Sequence, residues 1–169
     1  MKIGLLSDTH SFMEATILEV LQDCDEVWHA GDIGDLSVTD QLQTLQIPLR
    51  AVYGNIDNAA IRQTFPKDLI FECGGLKVWM THIGAYPPKY TPKVRTKLDE
   101  IRPDLFVCGH SHILKVIADK PRNLLHLNPG AAGHHGFHTI RTLLLFDIIE
   151  HRPTNMQVVE LGNRGQQRS

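Results

Sequence analysis

Residues 2–10, KIGLLSDTH, pass from a short apolar segment directly into two side chains that can bind a metal ion, Asp8 and His10. A short apolar run bounded by a polar turn is typical of a buried strand in an α/β sheet. Four further segments repeat this pattern, and each ends on a polar side chain of the same kind. They are residues 27–32 (VWHAGD), 51–55 (AVYGN), 78–82 (VWMTH) and 105–112 (LFVCGHSH).

The polar side chains that follow these five runs are the candidate functional residues. Ligands of such sheets bind just beyond the carboxyl ends of the strands, so we expect the donors to meet in one crevice. A single Asp or His after a strand is most often a turn former or a satisfied polar residue, but that explanation does not account for seven. The seven candidate ligands are Asp8, His10, Asp32, Asn55, His82, His110 and His112.

The chemistry of this donor set favours divalent metal ions. Oxygen and imidazole donors without thiolates suit Mn²⁺, Fe²⁺, Zn²⁺, Ni²⁺ or Mg²⁺ and argue against a cysteine-based zinc site. Seven donors are enough to hold two ions. A glycine stands directly before Asp32, Asn55 and His110, where it would let the backbone approach a crowded site.

Length and composition predict one domain over residues 1–169, with the last eight or so residues forming a frayed tail. The net charge of −2 gives no bulk electrostatic case for nucleic acid. No apolar stretch is long enough to cross a bilayer, and the chain does not open on a secretory signal. Three irregularly spaced cysteines are typical of a reducing compartment, so we expect a cytoplasmic protein.

The order of predicted elements indicates the fold class. Helices are expected near 12–23, 36–45 and 92–101, the first with Ser11 and Glu14 as a capping box. A hairpin is expected around Gly74-Gly75, and the C-terminal half is rich in strands. This order predicts an α/β protein of two packed mixed sheets flanked by helices. The expected strands beyond the first are 26–30, 49–53, 68–73, 76–81, 104–108, 114–118, 124–127, 140–148 and 156–160.

The motifs, taken in order, resemble the calcineurin-like metallophosphoesterase superfamily. The short length and residues 128–130 (NPG) resemble its small bacterial and archaeal phosphodiesterase branch, which is related to the retromer subunit of eukaryotes whose metal site is impaired. The motifs that carry the resemblance are Asp8-x-His10, Gly31-Asp32, Gly54-Asn55, His82 and Gly109-His110-x-His112.

The resemblance implies a four-layer α/β/β/α sandwich and two divalent metal ions, with manganese favoured and zinc, iron, nickel or magnesium left open. It assigns Asp8, His10 and His112 to one metal, and Asn55, His82 and His110 to the other, with Asp32 bridging. The implied reaction is phosphate ester hydrolysis, most of all of phosphodiesters, by in-line attack of a metal-bridging hydroxide. Asp32, Asn55 and His82 are its implied catalytic residues.

The position after Asn55 departs from the family pattern. Many members carry a histidine there, which is proposed to protonate the leaving group, whereas this chain has Ile56. We therefore expect that the protein hydrolyses only esters with good leaving groups, or that water or another histidine supplies the proton. Asp57 is either an acceptor that orients a ligand histidine or a turn former. His135 and His138 are weaker candidates for contact with the substrate.

The expected partner is a small phosphate ester; no nucleic-acid groove is evident, and a homo-oligomer is left open. Arg141 fits a structural ion pair better than a phosphate contact. An alternative function is a metal-binding scaffold or interaction module without turnover. A metal site that no longer supports catalysis should lack some of its ligands, and this chain has all seven. A nuclease would need a basic groove with aromatic platforms, and no such cluster is visible in the sequence.

Overall fold

A computed structural model describes residues 1–165 and shows ten strands and four α-helices in that range. The apolar runs form strands and the polar residues after them form loops, as the sequence predicts. In chain order the elements are β1 (Lys2–Leu6), α1 (Ala15–Leu21), β2 (Glu26–His29), α2 (Leu36–Gln43), β3 (Leu49–Ala51), α3 (Ala59–Thr64), β4 (Asp68–Cys73), β5 (Leu76–Thr81), α4 (Pro92–Ile101), β6 (Leu105–Val107), β7 (Lys115–Asp119), β8 (Leu124–Asn128), β9 (Ile140–Ile149) and β10 (Arg152–Asn163).

The strands form two mixed five-stranded sheets. The first sheet has the order β10-β9-β1-β2-β3, and the second has the order β4-β5-β6-β8-β7. Strands β1, β2 and β3 run parallel, as do β5, β6 and β8. All five strands that precede candidate ligands therefore belong to these two parallel sets, so their carboxyl ends lie at a common edge within each sheet.

The two sheets pack face to face, and helices cover their outer faces. Alternation along β1 shows this arrangement, because Leu5 belongs to the cluster between the sheets and Leu6 to the cluster under α1 and α2. The helix α4 covers the second sheet through Val94 and Leu98, which pack with Trp79 and Phe106. These layers confirm the predicted fold class, two mixed sheets flanked by helices, in the four-layer order that the resemblance implies.

Several boundaries differ from the expectations. The capping box is wrong, since α1 begins at Ala15 after an N-cap Glu14 without a side-chain cap bond, and the Glu14 carboxylate pairs with Arg141 instead. The short helix α3 is absent from the sequence prediction, although Asn58 caps it by accepting from the Ile61 N–H. Strand β10 runs to Asn163, so the first residues of the expected tail belong to the sheet, and residues 166–169 lie outside the described range.

The expected hairpin is present. The turn between β4 and β5 contains Gly74 at φ +56° and Gly75 at φ +79°, the left-handed pair that a tight hairpin needs. Within residues 1–165, no helix has the length and apolar character required to traverse a bilayer.

Candidate metal centre

Six of the seven candidate ligands converge in two groups at the strand ends. Asp8, His10 and His112 form one group, and their ligand atoms lie within 4.8 Å of one another. Asp32, His82 and His110 form the second group with the same spacing. We call these the first and second donor groups. These groups match the division into two metal sites that the resemblance implies, with two differences. Asp32, the implied bridge, belongs to the second group. Asn55, whose side chain is an amide, is not among the members of that group.

Asp32 lies between the two donor groups. Its Oδ1 atom is 3.2 Å from Nε2 of His82, and its Oδ2 atom is 3.5 Å from Nε2 of His10. Each carboxylate oxygen therefore faces a histidine of a different group. A carboxylate placed in this way is able to bridge two metal ions.

Buried polar atoms at the site fit a bound cation. Among the described residues, Oδ1 of Asp8, Nε2 of His10 and Nε2 of His82 are buried and have no hydrogen-bond partner. An unpaired buried polar atom costs free energy, so native proteins satisfy nearly all such groups. A divalent ion in each donor group would supply the missing interaction, because every one of these atoms can offer a lone pair.

The ring of His82 is fixed in the tautomer that a metal ligand needs. Its Nδ1 atom lies 2.8 Å from the carbonyl oxygen of Ala30. A carbonyl only accepts, so Nδ1 carries the proton and donates it. The lone pair of Nε2 is then directed into the site.

His138 fixes the tautomer of the His112 ring, and the backbone in turn fixes the tautomer of His138. The Nε2 atom of His138 lies 2.9 Å from the carbonyl oxygen of Gly133, so it is the donor. The remaining Nδ1 atom of His138 then accepts from Nδ1–H of His112 at 3.3 Å. Nε2 of His112, which is 3.1 Å from Oδ1 of Asp8, therefore keeps its lone pair available for a metal ion.

The backbone at the site adopts conformations that residues other than glycine rarely take. Five candidate ligands have a positive φ between 46° and 68°, in the left-handed region. Such strain concentrates at functional sites, where the surrounding structure holds it. These five residues are Asp8, His10, Asp32, His110 and His112.

All three glycines that precede ligands are required by close approach. A Cβ atom on Gly54 would collide with the backbone and carboxylate of Asp32, and a Cβ atom on Gly109 would collide with Ser7 Oγ. A Cβ atom on the third, Gly31, would collide with the His82 side chain, and its φ of +97° is itself one that glycine favours. The sequence prediction about these glycines is therefore confirmed.

Asp57 holds two ligand loops together, and within residues 1–165 its carboxylate makes no hydrogen bond to a histidine. It is buried, and its carboxylate accepts from the backbone N–H groups of Ile33 at 3.1 Å, Gly34 at 2.7 Å and Gly54 at 2.7 Å. These contacts join the loop after β2 to the loop after β3. Of the two roles considered for Asp57, the structure supports the one in the turn and extends it across both loops.

Asn128 is a functional residue to which the sequence analysis gave no role. Its side-chain amide donates to the carbonyl of Gly109 at 2.9 Å and lies 3.2 Å from Oγ of Ser111, so it holds the loop that carries His110 and His112. The signal was present, because Asn128 also ends an apolar strand, β8, next to β6. It acts on backbone rather than on the centre of the site.

The electrostatics suit a cation. Burial lowers the pKa of His10 and His110, which favours their neutral, ligand form. Burial alone would raise the pKa of Asp32, but the His82 ring and the Ile56 N–H hold it below its usual range. Burial alone would lower the pKa of His82, yet the carboxylates of Asp32 and Asp8 raise it. Positive charge beside these carboxylates is therefore favoured.

The remaining predicted residues lie around the centre. Asn55 is exposed and lines a cavity that also reaches His82. The ring of His135 packs on that of His10 with 4.8 Å between centroids. Arg141 is fully buried and pairs with Glu14 at 2.7 Å, which confirms the structural ion pair.

Two cavities flank the second donor group. The larger, of about 420 Å³, is bordered by Asn55 and His82, and the smaller, of about 160 Å³, by His110 and Lys115. Ile83 lines both, so the cavities adjoin at the loop that follows β5.

Known proteins share this fold. The chain is 29% identical over 136 residues to a probable metallophosphoesterase of Methanothermobacter thermautotrophicus, covering 78% of this chain and 77% of that protein. The solved structure of an archaeal phosphodiesterase superposes with a TM-score of 0.74 at 22% identity, covering 95% of this chain and 100% of that one. Zinc-bound Vps29 of Entamoeba histolytica superposes with a TM-score of 0.70 at 17% identity, covering 95% and 99%.

The archaeal phosphodiesterase shares the two-sheet fold, and this chain places oxygen and imidazole donors in the loops at the ends of its strands. The family model of the calcineurin-like phosphoesterase superfamily domain matches residues 1–151, so the chain belongs to that superfamily. The resemblance stated from the motifs is confirmed. Family and donor set together imply divalent metal ions as cofactors.

Proposed function

We propose that the protein is a phosphodiesterase that uses two divalent metal ions, held by all seven predicted ligands. The observation that carries the proposal is Asp32, whose two carboxylate oxygens each face a histidine of a different donor group. Asp8, His10 and His112 would hold one ion, and Asn55, His82 and His110 the other. Manganese is the favoured metal. When bound, the ions would activate water and neutralise the phosphoryl oxygens.

The chain's own residues would orient this reaction. Asp32 holds its position through the Ile56 N–H at 3.1 Å, while Ala30 and His138 fix the rings of His82 and His112. Asn55 adds a neutral oxygen donor, which limits negative charge where an anionic phosphate must bind. In hydrolysis a P–O bond to the water oxygen forms as the P–O bond to the alcohol breaks, and the alcohol leaves with a proton. Ile56 cannot supply that proton.

The two cavities favour a diester over a monoester. A phosphodiester carries two alcohol groups, and both cavities border the second donor group, one beside His82 and the other beside His110. A monoester would fill only one of them. The larger cavity has the volume of a small-molecule site.

The test combines metal analysis with turnover. Purified protein with Mn²⁺ should hydrolyse bis(4-nitrophenyl) phosphate faster than 4-nitrophenyl phosphate, and a chelator should abolish the activity. Asp32→Ala should lose bound metal and turnover together, whereas Asp40→Ala, an exposed control on α2, should keep both. Metal-replete protein that hydrolyses neither ester, with Asp32→Ala retaining full metal content, would overturn the proposal.

A second candidate function is a metal-binding interaction module without turnover. The likeness to Vps29 favours it. So do exposed apolar side chains beside three ligands, since Ile56, Ile83 and Ile113 each follow one directly. This candidate predicts bound metal without ester hydrolysis, so the same assay separates the two functions.

The compartment is part of the proposal. Cys24, Cys73 and Cys108 are free and buried, which fits packing in a reducing compartment such as the cytoplasm.

A further inference from the structure

The larger cavity extends from the second donor group to the start of α4. Asn55 and His82 border it at one end, and Thr91 and Lys93 at the other. Its volume of about 420 Å³ lies within the range of about 300–1,000 Å³ typical of small-molecule sites. The cavity therefore has room for a substantial part of a substrate whose phosphorus lies at the metals.

The lining of this cavity is strongly cationic, although the chain as a whole carries a net charge of −2. One carboxylate, that of Asp68, faces four cationic side chains. Asp68 is already paired, because it accepts from Nζ of Lys97 at 2.9 Å and from Nε1 of Trp79 at 3.1 Å. The cationic lining residues are Arg62, Lys67, Lys93 and Lys97.

Three positive charges remain after this pairing. Within residues 1–165, Lys67 and Lys93 have no carboxylate within salt-bridge distance. Arg62 donates only to carbonyl oxygens, to that of Asp57 at 2.6 Å and that of Asn55 at 3.1 Å. Its guanidinium thus joins the Asn55 loop to the cavity and keeps its charge. A cleft lined by one sign of charge attracts the opposite sign.

The first turn of α4 adds to this field. Thr91 caps the helix by accepting from the Val94 N–H, and both residues line the cavity with Lys93. The amino end of a ten-residue helix carries partial positive charge. An anion in the cavity would therefore meet the helix end and the lysines together.

We propose that this cavity binds a second anionic group of the substrate, a phosphate or a carboxylate carried by one alcohol half of the diester. This proposal rests on the phosphodiesterase function proposed above and names its substrate class. The selected substrates are phosphodiesters with a negative charge several bonds away from the reacting phosphorus. Lys67 and Lys93 are the specificity-determining residues, and Arg62 supports them from the Asn55 loop.

The experiment uses three 4-nitrophenyl phosphodiesters whose second alcohol is a propyl chain ending in a phosphate, a carboxylate or a methyl group. Wild-type protein with Mn²⁺ should show kcat/KM at least about tenfold higher for the charged esters, since charge-assisted contacts are worth a factor of that order. The double substitution Lys67→Met with Lys93→Met should remove most of this preference. The matched control, Lys120→Met with Arg152→Met, removes the same charge from surface positions outside the cavity and should keep it.

A measurement without turnover accompanies the assay. Inorganic pyrophosphate should bind metal-free protein in calorimetry, and the Lys67/Lys93 double variant should lose that binding while the control retains it. Equal kcat/KM for the three esters, or a preference that survives the double substitution, would overturn the proposal while leaving the phosphodiesterase function intact. If no ester is hydrolysed, the phosphodiesterase function fails, and lysine-dependent pyrophosphate binding then still reports whether the cavity takes anions.

Discussion

The Nδ1 atom of His138 accepts a hydrogen bond from Nδ1–H of His112 at 3.3 Å, and this bond leaves Nε2 of His112 free to bind a metal. His138 is itself held by the carbonyl of Gly133. A loop far along the chain thereby fixes the tautomer of a ligand in the loop that follows β6. Residues that orient a metal ligand in this way contribute to affinity without touching the ion.

Replacing His138 should therefore weaken the first metal site. We expect His138→Ala to lower the affinity of one ion about 10–100-fold, because the His112 ring loses its orientation and its fixed proton. His151→Ala, at an exposed histidine in the β9–β10 turn, is the control and should bind metal like the wild type. Calorimetric titration with Mn²⁺ measures the effect. An unchanged affinity of both ions would contradict the assigned role of His138.

The strained ligands predict a conflict between metal binding and stability of the metal-free protein. His10 has φ 46°, so His10→Gly should raise the free energy of unfolding without metal by roughly 1 kcal/mol. His151→Gly, at φ 59° and away from the site, should gain a similar amount. Only His10→Gly should lose the part of the Mn²⁺ stabilisation that comes from the first donor group, and one site gives about 2.7 kcal/mol at 100-fold excess over Kd. Chemical denaturation with and without Mn²⁺ tests both statements.

His126 predicts a loss of stability on acidification. Burial lowers its pKa to about 4, and its fully enclosed ring faces Cys108, Tyr90 and, at longer range, Lys115. In the unfolded chain its pKa is about 6.5, so the unfolded state binds more protons between pH 6.5 and pH 4. Stability must therefore fall as the pH is lowered through this window.

The loss due to His126 should be on the order of 2–3 kcal/mol at pH 4. Denaturation of metal-free wild type and His126→Leu between pH 7 and pH 4 measures it as the difference between the two pH profiles. Other groups, including the buried His29, contribute equally to both proteins and cancel. Parallel profiles would show that His126 accepts its proton in the folded state without cost.

A histidine can be introduced at the position after Asn55, in place of Ile56. Ile56 is 46% exposed, and only its backbone N–H holds Asp32, so Ile56→His should fold and keep both donor groups. We expect it to raise monoester turnover relative to diester turnover, because a group able to protonate a poor leaving group then stands beside the site. Ile56→Gln is the matched control, as it adds a polar side chain without proton transfer. Unchanged monoester kinetics in Ile56→His would remove the basis for the account of Ile56.

Much of the fold could be read from local patterns. The five apolar runs became β1, β2, β3, β5 and β6, and the Gly74-Gly75 turn joined β4 to β5 as expected. Helix ends were predicted less well. Ser11 and Glu14 match the pattern of a capping box, but the Glu14 carboxylate pairs with Arg141, 127 residues away. A local motif does not reveal such a distant partner.

The sequence by itself indicated which residues are candidate ligands, since each lies within a few residues of the end of an apolar strand and the parallel strands of one sheet end at a common edge. Only the tertiary structure decided how those ligands are held. It set Asp32 between two histidines, His138 behind His112, and Asp57 across two loops. It also gathered Arg62 and Lys67, from the segment between β3 and β4, into one cavity with Lys93 of α4. Such contacts depend on the packing of distant segments, which the local spacing of residues does not encode.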